Sequence, residues 1–172
     1  VVAQAMDLAA DSAQVTEDGV DRRRNCFNLA QPYQAKNFSM KTFFLYAITL
    51  FAYLVFDQAW INGFAKGFIR RQVGPLLAPK PDLAAGIVFY LIFAGGLLYF
   101  CVLPALEAKS FRIALLNGAL LGLVTYGTYE LVNKALIDKW PLPLVVVDVL
   151  WGIFAGAAVS GVGFKAGKWL GL

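Results

Sequence analysis

Four long apolar runs alternate with short polar breaks along this chain. They cover about 42–64, 83–105, 111–133 and 143–165. Each is about 20 residues or slightly more, which at roughly 1.5 Å per residue matches a hydrocarbon core of about 30 Å. The breaks are short, so neighbouring runs must be antiparallel. The pattern predicts an all-α, integral membrane four-helix bundle. Between the first two runs lies AKGFIRRQVGPLLAP, at 65–79. Here Phe68, Ile69 and Val73 are expected to face lipid, while Lys66, Arg70 and Arg71 face water. This predicts a short interfacial helix after the first span, ended by Gly74-Pro75. Pro104 is expected at the exit of the second run, with a tight polar turn at 107–110.

Residues 1–39 break the pattern and are expected to form a polar N-terminal extension before a four-helix transmembrane domain at 40–172. Asp7, Asp11, Glu17, Asp18 and Asp21 precede the triplet Arg22-Arg23-Arg24. The extension contains no apolar segment of spanning length and no signal-peptide core. Composition of this kind forms no core of its own. It admits two readings: a disordered extension, or an arm lying on a partner or on lipid headgroups. The chain starts with Val, which suggests a processed precursor imported into an organelle.

Composition narrows the class. The chain has 172 residues, 59% hydrophobic and only 15% charged, with a mean hydropathy of +0.64. Four such runs leave too little polar surface for a soluble bundle. The net charge of +4 does not imply a nucleic-acid partner, because the basic residues flank hydrophobic runs, as loops at a lipid surface do. Those residues divide evenly between the two membrane faces. Only the Arg22–Arg24 triplet tips both termini toward the more negative side. No histidine is present, which excludes His-box di-iron centres, His-ligated haem and His-based triads. Cys26 sits in the polar extension and Cys101 in a span, so a disulfide between them is not expected.

The candidate chemistry lies in three acids inside the apolar runs: Asp57, Glu130 and Asp148. A carboxylate in hydrocarbon is expensive and needs a partner. With four crossings, all three fall within about 5–11 Å of the same face, the one at which the first span ends. Trp60 shares a helix face with Asp57, as do Tyr53 and Thr49. Tyr126 and Asn133 share one with Glu130. Asp57-x-x-Trp60 is echoed by Asp148-x-x-Trp151, each placing an indole one turn from an acid. The expected polar layer is therefore Asp57, Trp60, Tyr126, Glu130, Asn133, Asp148 and Trp151, serving as a ligand, ion or structural site. No Lys or Arg lies deep in a span, so at least one acid is expected neutral or bound to an external cation. Gly152, Gly156 and Ser160 follow Asp148 at i+4 steps, and Gly118-xxx-Gly122 offers a second small stripe. These five predict close packing of spans three and four. No catalytic residue and no metal ligand is assigned. Bound lipids are expected, and a tetrapyrrole or carotenoid only within a pigment complex.

Several stretches resemble the DUF2177 group of small, four-span membrane proteins: MKTFFLYAITLFAYLVFDQAW (40–60), FIRRQVGPLLAP (68–79), 102–142 and VVVDVLWG (145–152). The family's D-x-x-W element falls on Asp57 and Trp60. Its T-Y-D-x-x-N-like element falls on Thr128, Tyr129, Glu130 and Asn133, and its V-D-x-x-W-G element on Val147, Asp148, Trp151 and Gly152. Glu130 stands where the family pattern has Asp, so the charge is kept and the reach is a methylene longer. The resemblance implies fold and topology, and carries no activity. The expected function is a non-catalytic accessory or structural subunit of a larger membrane complex, with membrane lipids and other integral subunits as partners. The alternatives are a small transporter or proton/cation-conducting protein using the buried acids, and a lipid-modifying membrane enzyme. An organellar inner or thylakoid membrane, or otherwise a bacterial inner membrane, is the expected location.

Overall fold

The computed structural model describes residues 39–172; the acidic block, the Arg22–Arg24 triplet and Cys26 lie outside the described residues. Four helical spans are present, Met40–Leu76, Leu83–Glu107, Phe111–Leu136 and Leu142–Trp169, each long and apolar enough to cross a membrane. The described residues contain only helices, turns and short connections. Every span carries large apolar side chains outward, among them Phe51, Ile92, Leu116 and Leu150, each at least 60% exposed. Such a belt suits lipid and not water. The protein is an integral, multi-pass membrane protein.

The span ends are set by stop signals more than by hydrophobicity. The first helix does not end at Phe64. It passes through a π-helical turn, Ile61–Ala65, into the helix Lys66–Val73 and then a 3-10 turn, Gly74–Leu76. Nothing between Trp60 and Val73 breaks a helix; Pro75 is the first residue that must. Residues 65–76 are thus helical and continuous with the first span. The apolar side chains expected at lipid do not face it: Val73 packs with Trp140, Leu144 and Val145, and Phe68 and Ile69 lie against the same cluster. The straight continuation carries this face beneath the start of the fourth span.

Polar groups at breaks are satisfied across spans. Asp82 caps the second span, its Oδ1 accepting from the Ala84 and Ala85 amides at 2.9 and 3.1 Å; such a cap is worth about 1 kcal/mol. Pro104 has no N–H to give the Phe100 carbonyl one turn earlier. Asn117 Nδ2, from the third span, donates to that oxygen at 3.2 Å. A neighbouring helix thus repairs the proline defect where water would be scarce. Tyr46 Oη donates to the Leu91 carbonyl at 3.0 Å, tying spans one and two. The turn at Ala108–Ser110 places Lys109 at φ 49°. There the Ser110 amide reaches back to the Ala105 carbonyl at 3.0 Å, closing the helix end.

Spans three and four form the tightest interface. A Cβ on Gly118 would strike the Gly156 carbonyl and Ser160 Oγ. One on Gly122 would strike the Gly152 carbonyl, and one on Gly152 the Tyr126 ring. The small stripes expected from the spacing therefore face each other backbone to backbone, as small residues allow in lipid. Further along, Gly163 and Gly167 receive Val102 and Leu106 of the second span. One glycine row thus seats two neighbours.

Gly122→Val is expected to cost more than about 2 kcal/mol, as overpacking against an unyielding backbone does, and to lower the thermal midpoint in detergent. Gly86→Ala, where an added Cβ meets nothing within 4 Å, is expected to leave that midpoint unchanged. Thermal unfolding followed by size-exclusion chromatography reads both.

Candidate functional site: a buried layer of acids and aromatic donors

The spans bring the three acids to one end of the bundle, each held in a different way. Asp57 is 7% exposed. Tyr90 Oη, from the second span, donates to its Oδ2 at 2.5 Å. The Trp151 indole N–H is turned toward the same carboxyl without closing a hydrogen bond. Glu130 is 1% exposed and accepts from the Trp140 indole Nε1 at 2.8 Å. Asp148 is half-buried, and its carboxyl lies within interaction reach of that of Glu130. Asp57 is a further electrostatic neighbour of Asp148. The three do not meet at a point: among the described residues no three Asp, Glu, Cys or His side chains are close enough to hold a metal ion. The layer is a carboxyl pair with a third acid set apart.

Aromatic side chains bind the layer together. Trp60 and Trp151 stack face to face, centroids 4.5 Å apart and planes 5° from parallel. The two D-x-x-W elements therefore meet through their indoles, joining spans one and four. Trp60 also packs on Phe64, which packs on Phe68. Tyr53 and Tyr126 share a hydroxyl–hydroxyl bond of 2.7 Å linking spans one and three. The Tyr53 ring lies against Tyr90 and Phe93 of span two. Asn133 Nδ2 is buried and makes no hydrogen bond. It follows Glu130 by one turn.

Two partners were not among the expected site residues. Tyr90 is the only hydroxyl in the stretch LAAGIVFYLIFAGG, and a single polar tip in such a run was the available signal. Trp140 belongs to the connection between spans three and four, which the hydropathy pattern assigns to the surface. It is 8% exposed, packed among Val73, Leu144 and Val145, and Lys134 Nζ donates to its carbonyl at 2.6 Å, tying the connection back to the third span. No local signal marks that reversal.

Magnitudes fit the arrangement. An acid costs up to about 2.5–3.5 kcal/mol on insertion scales, the upper figure holding at a span centre and less toward a span end. A hydrogen bond to a charged group returns about 1.5–3 kcal/mol. One good donor thus offsets most of the cost, and one is what Asp57 and Glu130 each have. The donors to Asp57 and Glu130 are neutral groups, a phenol and an indole, in the place a cation would take in an ion pair.

The sequence model of the DUF2177 family, described as predicted membrane proteins, matches residues 42–165. The chain belongs to that family, and the match contains all three acids and both D-x-x-W elements. No curated protein and no solved structure matches it.

Tyr90→Phe and Trp140→Phe are each expected to destabilise the protein by about 1.5–3 kcal/mol, the value of a hydrogen bond to an acid. A cycle of Tyr90→Phe with Asp57→Asn is expected to show coupling of at least about 1 kcal/mol. Tyr90→Phe with Glu130→Gln is expected to be additive. Denaturation in mixed micelles measures the four single and the two double variants.

Proposed function

We propose that this protein is a non-catalytic integral membrane protein that serves as an accessory or structural subunit of a larger membrane assembly. The polar layer of Asp57, Trp60, Tyr126, Glu130, Asp148 and Trp151 holds the four spans in one arrangement. The observation that carries this reading is the capture of Asp57 and Glu130 by donors from other parts of the chain: Tyr90 on Asp57 and Trp140 on Glu130. Acids engaged this way are turned inward and support the fold. The apolar belt on all four spans is available to lipid and to other membrane subunits.

A second reading has one observation in its favour. The Glu130–Asp148 pair is the kind of carboxyl pair that passes a proton or releases it to a cation. A small proton- or cation-conducting protein would use that pair, with Asp57 as the neighbouring station.

Asp57→Asn and Asp148→Asn separate the two. Each is expected to leave proton and cation flux in proteoliposomes at the empty-vesicle level, as in the wild type, while lowering the yield of the native-membrane assembly several-fold on blue-native gels. Wild-type flux abolished by Asp148→Asn, with the assembly intact, would establish the conducting protein instead. Purification of the chain alone from mildly solubilised native membranes would overturn the subunit reading.

A further inference from the structure

The helix Lys66–Val73 is two-faced. Val73, Phe68 and Ile69 turn inward onto the cluster of Trp140, Leu144 and Val145. Lys66, Gly67, Arg70 and Arg71 lie on the outer face. Lys66 and Arg70 are one turn apart, at the i+4 spacing. The Arg71 guanidinium lies back over Gly67, its Nη1 3.7 Å from where a Cβ would stand, so the three cations gather on one surface.

Two more cations belong to this end of the bundle. Lys80 is exposed in the connection after the helix, and Lys139 is exposed in the connection packed under it. The acids at this end that point outward are few. They are Asp82, which also caps the second span, and Asp138, against the five cations Lys66, Arg70, Arg71, Lys80 and Lys139. Lys134 is held by the Trp140 carbonyl.

The opposite end also carries exposed cations, Lys41, Lys109, Arg112, Lys165 and Lys168, but spreads them over three helices and a turn. Lys41 Nζ reaches the Gly171 carbonyl at 3.4 Å, and Lys165 Nζ lies 5.5 Å from the centre of the Phe111 ring. No amphipathic helix among the described residues gathers cations there.

We propose that the Lys66–Arg70–Arg71 face, with Lys80 and Lys139 beside it, is a docking surface for the phosphate headgroups of anionic phospholipids. The geometry supports this partner. The face lies past the apolar part of the first span, beside the start of the fourth, and its charge is opposite to that of lipid phosphates. Arginine suits phosphate because its planar fork binds two oxygens at once. Anchoring by this face holds the end of the first span in place, and with it the connection that carries Trp140 to Glu130.

The test uses the full chain in detergent micelles, titrated with phosphatidylglycerol or phosphatidylcholine and read by native mass spectrometry. The wild type is expected to bind phosphatidylglycerol at least roughly tenfold more tightly, with a preference that shrinks as salt rises. R70Q/R71Q is expected to erase most of that preference, at about fivefold per cation, and R70K/R71K to keep the larger part of it. K165Q/K168Q, at the opposite end, is expected to keep all of it. If R70Q/R71Q does not fold, K66Q/K80Q is expected to reduce the preference by a similar factor. Equal binding of the two lipids by the wild type would overturn the proposal. So would an equal loss in K165Q/K168Q, or displacement of the lipid by an acidic soluble protein at the same face.

Discussion

An acid inside a bilayer must have a donor or a proton, and the arrangement of this protein obeys that requirement. Asp57 takes Tyr90 from the second span, and Glu130 takes Trp140 from the connection after the third. Asp148 lies beside Glu130 itself. Each choice joins different segments of the chain. Lipid supplies no hydrophobic force to press helices together. Polar contacts of this kind, with tight packing, therefore set which helix faces which.

The glycine seam allows the layer to form. Gly118 and Gly122 let the third span approach Gly156 and Gly152 of the fourth at backbone distance. That approach brings Glu130 and Asp148, farther along the same helices, within interaction reach. Gly152 has a double role, since the absence of its side chain also admits the Tyr126 ring. Tyr126 can then reach Tyr53. Packing and polar chemistry are thus coupled at one residue.

The first span shows where local rules reach their limit. A hydropathy window ends it near Phe64, because charges begin at Lys66. The backbone has no reason to stop there and runs on to Leu76, absorbing one π turn at Ile61–Ala65. The π turn directly succeeds Trp60, whose ring is stacked on Trp151. An extra residue in a helical turn rotates the next stretch of helix about its axis. Here that stretch is Lys66–Val73, whose apolar face covers the start of the fourth span.

The four spans, their antiparallel order, the three acids and the small stripes were legible in the sequence, because hydropathy, helical period and residue size are local properties. Tyr90 was half legible, as a single hydroxyl in an apolar run. Trp140 was not, because its burial depends on Val73 of the first span meeting the start of the fourth. The meeting of the two D-x-x-W elements through stacked indoles was equally hidden, since the relative rotation of spans one and four is not written in either one. By itself the sequence determined that the chain crosses the membrane four times and must find partners for its acids. Only tertiary structure decided which partners, because in hydrocarbon a donor on any neighbouring helix would serve and close packing admits one.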